Sequence, residues 1–235
     1  MIPLRDRNPR RRISVPAVTL LLIAANVALF AYELSLGPRL ETRLLAAAFV
    51  PARLHVGGGL LPALAAVRQG LVSALVSMFL HGGILHLAGN MLFLWIFGDN
   101  VEDRLGHLRF LVFYLVAGLA ATGAHAWANP HSQVPAIGAS GAISGVLGAY
   151  LVLYPRARIV TMIFLGFFIR LVELPAVVFL PIWFLMQFMS GVASLHGAPG
   201  GPGTADGGVA WFAHIGGFLA GPLLLFLLDR RPRMA

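Results

Sequence analysis

Apolar positions in this chain fall in long unbroken runs, while polar residues gather in the short stretches between them. Neither strand alternation nor the narrow apolar stripe of a surface helix describes such a pattern. A hydrocarbon core of ~30 Å takes roughly 17 to 25 helical residues at ~1.5 Å rise each. Six runs reach that length, near 15–36, 75–97, 110–128, 137–154, 175–193 and 209–228. They predict an all-α polytopic membrane protein, a bundle of six transmembrane helices with a long first outer loop. Within that loop, 44–49 and 60–67 are apolar but broken by Pro51, Gly57 to Gly59 and Pro62. Both pieces are too short to cross and are expected to lie partly in the outer interface. A further short run, 159–169, sits between Arg158 and Arg170 and predicts an interfacial hairpin or short helix. The Gly- and Pro-rich stretch 196–208 reads as a mobile, exposed loop. The domain plan is a basic cytoplasmic N-terminus over 1–14, a membrane domain over 15–228 and a short basic cytoplasmic tail over 229–235.

Composition agrees: of 235 residues, 58% are apolar and 11% charged, with a mean hydropathy of +0.83. The net charge of +8 would suggest nucleic acid in a soluble protein. Here all 17 basic residues are Arg, and most flank apolar runs, which is the signature of membrane topology. No nucleic-acid partner is therefore expected, only the bilayer and proteins embedded in it. The absence of cysteine excludes disulfides, thiolate nucleophiles and Cys-based metal sites.

An even number of spans leaves both termini on one side, and basic residues choose that side. One side would collect Arg5, Arg7, Arg10, Arg11 and Arg12, then Arg104 and Arg109, Arg156, Arg158 and Arg170, and finally Arg230, Arg231 and Arg233. The other holds only Arg39, Arg43, Arg53 and Arg68, all in the long loop. Both termini are thus expected in the cytoplasm. The Arg-for-Lys bias and the lack of long extensions point to a bacterial inner membrane.

Polar side chains inside such runs are costly and are functional candidates by default. Spans two, four and six run in the same direction, so residues early in each share one depth near the outer leaflet. Span two opens with His81, His86 and Asn90, span four with Ser140, and span six carries His214 about a turn and a half in. A serine beginning a helix is ordinarily a cap. It also stands beside the free N–H groups of a helix start, which can receive an oxyanion. Small residues recur every fourth position, Gly141 and Gly145 in span four, Ala213, Gly217 and Gly221 in span six. That spacing lets two helix backbones approach closely, either for packing alone or to bring Ser140 to His214. His86 and Asn90, four apart, share a helix face and offer donors to a developing negative oxygen. His81 reads as a tie to the outer loop. No acidic residue suits a third triad member, so a Ser-His dyad is the economical arrangement, the imidazole taking the hydroxyl proton. A metal site is disfavoured by the five-residue spacing of His81 and His86 without a following Glu. The remaining histidines read as interface residues, and Trp127, Trp183 and Trp211 as interfacial anchors or packing groups.

Taken together, these pieces resemble the rhomboid family of intramembrane serine proteases. The resemblance is carried by His81-Gly82-Gly83-Ile84-Leu85-His86-Leu87-Ala88-Gly89-Asn90, by Gly138-Ala139-Ser140-Gly141, and by Ala213-His214-Ile215-Gly216-Gly217 with Gly221. Val101-Glu102-Asp103-Arg104-Leu105-Gly106 is similar to that family's cytoplasmic loop. The resemblance covers about residues 70–228. It implies Ser140 as nucleophile, His214 as base, His86 and Asn90 with the Ser140 N–H as the oxyanion hole, and His81, Gly138, Gly141, Gly217 and Gly221 as residues that shape and pack the site. It implies cleavage of transmembrane protein substrates near their outer ends, with entry around span five, and no metal or organic cofactor. The Trp-Arg pair that some members carry in the first outer loop is missing. Two other readings stay open, a membrane binder that retains or delivers transmembrane clients, and a proton-coupled transporter using the intramembrane histidines.

Overall fold

The computed structural model describes residues 1–54, 59–165, 168–195 and 210–229. The stretch 196–208, read as a mobile loop, and all of the tail beyond 229 lie outside the described residues. Among the described residues eight α-helices appear in chain order: α1 (Ala17–Ser35), α2 (Leu40–Ala47), α3 (Leu60–Ser77), α4 (Ile84–Leu105), α5 (His107–Ala128), α6 (Ser140–Leu153), α7 (Ala176–Leu195) and α8 (Trp211–Leu228). Three strands, β1 (Ile2–Asp6), β2 (Arg158–Leu165) and β3 (Phe168–Pro175), form one antiparallel sheet in that order.

Helix α6 is the centre of the bundle, with every residue from 141 to 150 buried. Its small side chains make that position possible, and large ones fill the space around it: Phe97, Phe110, Phe113, Tyr114 and Tyr150 are almost fully buried. On the outside, Leu21, Leu34, Leu219, Leu223 and Phe226 are all more than half exposed. An apolar exterior on this scale is a lipid-facing surface, and the chain is an integral membrane protein.

Among the described residues, five helices are long and apolar enough to cross a membrane, namely α1, α3, α4, α5 and α8. This corrects two sequence expectations. The second span begins at Ile84 rather than near 75, because the turn Met78 to Gly83 separates α3 from α4. The stretch 60–67 is not an isolated fragment either; it is the start of the 18-residue α3, where Pro62 falls in the first turn and costs the helix no bond. Helix α3 nonetheless adds no net crossing. Glu33, near the end of α1, accepts a bond from the His81 N–H at 3.4 Å, so the chain from 36 to 83 leaves and returns at one end of the bundle. Midway along α3, Gly70 lies against Leu54 and Phe49, at that same end.

The fourth span is also shorter than expected. Its helix has 14 residues, about 21 Å, because the backbone at Gly138 takes φ +118, outside the helical region. The run 159–169 resolves as the hairpin alternative: after Arg158, β2 carries Ile159, Val160 and Thr161, β-branched residues that favour strand. The basic N-terminus adds β1 to that hairpin, with Pro3 on the edge strand where a missing N–H is tolerated.

The end of the bundle away from α6's first turn is tied by buried acids. Helix α1 has no side-chain cap of its own. Glu102, fully buried in α4, supplies one from outside, accepting the Val18 and Thr19 N–H groups at 2.9 and 2.8 Å and the Thr19 hydroxyl at 2.6 Å. Next to it, Asp103 accepts the N–H groups of Arg11, Arg12 and Ile13. Asp6 on β1 accepts the Tyr150 hydroxyl at 2.6 Å; burial raises its carboxyl above the usual range, and that bond offsets part of the rise.

Candidate active site

Ser140 is the first residue of α6. The first bond of that helix runs from the Ile143 N–H to the Ala139 carbonyl, so the N–H groups of Ser140 and Gly141 precede the ladder and face away from it. Half-buried, the Ser140 Oγ lies 2.7 Å from the His214 Nε2. With the ring proton on Nδ1, Nε2 accepts the serine hydroxyl, which is the geometry of a base poised to remove it.

Glycine contacts bring this pair together. A Cβ added to Gly217 would sit 2.0 Å from the Gly141 carbonyl oxygen, and one on Gly221 2.1 Å from that of Gly145. Helices α6 and α8 therefore touch backbone to backbone, as the four-residue spacing predicts. The structure adds a third partner. Cβ atoms on Gly141 and Gly145 would meet the methyls of Ala121 and Ala117 at 2.7 Å, and one on Gly216 would meet that of Ala124 at 2.3 Å. The alanines of α5 had a readable signal, since Ala117, Ala121 and Ala124 stand four and three apart.

His86 and Asn90 reach the site from α4. A Cβ on Gly138 would fall 2.7 Å from the His86 Nε2 and 3.5 Å from the Asn90 Nδ2, so both side chains converge on the backbone two residues before Ser140. Only glycine combines that contact with φ +118. His86 is exposed, while Asn90 is buried. The Asn90 Nδ2 donates to the His81 Nε2 at 3.0 Å, and the His81 Nδ1 donates to the Phe79 carbonyl at 3.3 Å. His81 is 2% exposed and thus orients Asn90 as well as closing the turn before α4.

Two features were not read from the sequence. Trp183 of α7 and Trp211 of α8 flank the His214 ring, with centroids at 6.1 and 5.9 Å. Trp211 precedes His214 by three positions on one helix face and was readable; nothing in spacing pointed to Trp183. The first outer loop, lacking a Trp-Arg pair, is held by backbone groups and the Ser77 hydroxyl. The Ala136 N–H donates to the Phe49 carbonyl at 2.8 Å, the Phe49 N–H to the Ser77 hydroxyl at 2.7 Å, and the Gly138 N–H to the Ser77 carbonyl at 2.8 Å.

His81, His86, Asn90, Gly138, Ser140, Gly141 and His214 thus gather at one end of the bundle, at or just before the first turns of α4, α6 and α8, while Gly217 and Gly221 lie deeper, along the α6–α8 contact. The arrangement offers a hydroxyl, a base and several donors around one space, which suits acyl transfer.

Residues 68–231 match the family model of the Rhomboid domain. The chain is similar to Rhomboid protein 1, mitochondrial, of Saccharomyces cerevisiae, 35% identical over 97 residues that make up 40% of this chain and 28% of that protein. It is similar to Rhomboid protease GluP of Bacillus subtilis, 48% identical over 77 residues, 33% of this chain and 15% of that one. With RHOMBOID-like protein 6, mitochondrial, of Arabidopsis thaliana it shares 32% identity over 162 residues, 68% of this chain and 44% of that one. The matched stretches cover less than half of each of these relatives. Mitochondrial proteins stand among them, so the expected bacterial inner membrane draws no support here beyond integral membrane placement.

Proposed function

The chain belongs to the rhomboid family, and from that premise we propose that it is an intramembrane serine endopeptidase acting on transmembrane protein substrates. The observation that carries this reading is the 2.7 Å contact between the Ser140 Oγ and the His214 Nε2. In the proposed reaction Ser140 attacks a substrate peptide carbonyl while His214 takes the hydroxyl proton. The carbonyl oxygen becomes negative and is met by the side chains of His86 and Asn90 and by the Ser140 N–H. His214 then returns the proton to the leaving amine, and water, activated by the same imidazole, releases the acyl group from Ser140. The exposure of His86 and the partial exposure of Ser140 supply a route for that water. We place this chemistry at the outer side and both termini in the cytoplasm, a reading supported by the Arg distribution and by the ties of residues 6 to 13 to the far end of the bundle.

The test is cleavage of a panel of single-span substrates by the purified protein, run beside labelling by a serine-reactive fluorophosphonate. Ser140→Ala and His214→Ala are expected to abolish labelling and to lower cleavage by about 10³-fold or more. Full cleavage by Ser140→Ala would refute the nucleophile. Wild-type protein that binds such substrates yet neither cleaves nor labels would favour the client-retaining reading.

A further inference from the structure

A cavity of about 1020 Å³ lies at the end of the bundle opposite Ser140. One wall is the N-terminal segment with Arg11 and Arg12; the other is the last turns of α6 and α8, including Val152, Leu225 and Phe226. The two walls differ in chemistry. Val152 and Phe226 are 54% and 75% exposed and belong to the lipid-facing surface. Arg11 and Arg12 are exposed as well, and among the described residues neither has a carboxylate within ion-pair distance.

Asp103, Arg104 and Asp229 also line the cavity. Asp103 accepts the backbone N–H groups of Arg11, Arg12 and Ile13, which fixes the course of the segment. Asp229 is paired with Arg104 at 2.8 Å. With Arg11, Arg12 and Arg104 set against Asp103 and Asp229 the lining keeps a net positive charge, and the cavity joins this cationic wall to an apolar one, at the depth where the apolar surface ends and the Arg-rich end begins. A free phosphate would answer the cations and leave the apolar wall wet. A zwitterionic lipid would bring a cationic group towards two more.

We propose that this cavity binds an anionic phospholipid, its phosphate on the guanidiniums of Arg11 and Arg12 and an acyl chain along Val152, Leu225 and Phe226. Basic pockets between membrane helices recognise such headgroups by charge and hydrogen bonding together. The bound lipid would hold the N-terminal segment against α6 and α8.

Native mass spectrometry of the purified, delipidated full chain titrated with phosphatidylglycerol or phosphatidylcholine tests this. Wild type is expected to retain phosphatidylglycerol preferentially. Arg11→Gln/Arg12→Gln is expected to lower that retention by about 10- to 30-fold, as two Arg contacts to an anionic headgroup imply, with retention of phosphatidylcholine unchanged. The exposed control pair Arg39→Gln/Arg43→Gln, in the other loop, is expected to have no effect. Both variants keep every backbone N–H, so unchanged melting checks that the segment stays docked. Equal retention of the two lipids, an equal loss in the control pair, or displacement by millimolar inorganic phosphate would overturn the proposal. So would retention that emerges only after deletion of residues 230–235, which would give the cavity to the tail.

Discussion

Asn90 is held on both sides, by its place in α4 and by the His81 ring that accepts its amide proton at 3.0 Å. A donor fixed in this way before substrate arrives costs no reorganisation when charge appears on a carbonyl oxygen, which is where such groups lower a barrier. Asn90→Ala is therefore expected to reduce kcat by about 10²-fold while leaving KM nearly unchanged. Steady-state kinetics on one cleavable substrate checks it, and a rise in KM with kcat intact would assign Asn90 to substrate binding instead. The site was largely legible at this scale because polar side chains in hydrocarbon are rare enough to be counted. Ser140, His214, His86 and Asn90 were each found by standing alone in apolar surroundings. Trp183 escaped because an aromatic residue in an apolar helix carries no such contrast.

Between elements, distances of approach decide more than side-chain chemistry does. A side chain at Gly217 has no space to occupy, since even a Cβ meets the Gly141 carbonyl oxygen at 2.0 Å and backbone cannot swing aside. Gly217→Val is expected to push α8 from α6, to cost about 1 to 3 kcal/mol or more, and to separate Ser140 from His214. Thermal unfolding in detergent should show the loss, with fluorophosphonate labelling falling in step. At the other end, Glu102→Gln puts an amide where both carboxylate oxygens receive donors from α1. The expected destabilisation is about 1 to 3 kcal/mol for buried donors left unpaired, visible as faster hydrogen exchange at Val18 and Thr19. The small-residue spacing that joins α6 to α8 could be read in advance. The β1 strand could not, for a basic segment with Pro3 carries no strand pattern until β2 offers it an edge. The limits of span two were missed for a related reason: apolarity continues from 71 through 80, and only the turn ahead of α4, closed by the His81 contacts, divides it.

Across the whole molecule, the ends of the bundle differ in kind. One end gathers Ser140, His214, His86 and Asn90; the other gathers the N-terminal segment, Glu102, Asp103, the Arg104–Asp229 pair and the sheet. The chain from α1 to α4 returns to the end it left, so the five candidate spans found by length do not imply an odd number of crossings. Basic residues near span ends resist translocation, and the proposed orientation accordingly puts the Arg-rich end inward and the Ser140–His214 pair outward. Because the chain has no cysteine, any introduced thiol is the only one present. Gln133→Cys and Ser14→Cys place that thiol at exposed positions of the two ends. In intact cells a membrane-impermeant maleimide is expected to label the variant at 133 and to reach the one at 14 only after permeabilisation. The reverse pattern would put the dyad on the inner side, and with it the expectation that substrates are cut near their outer ends would fall.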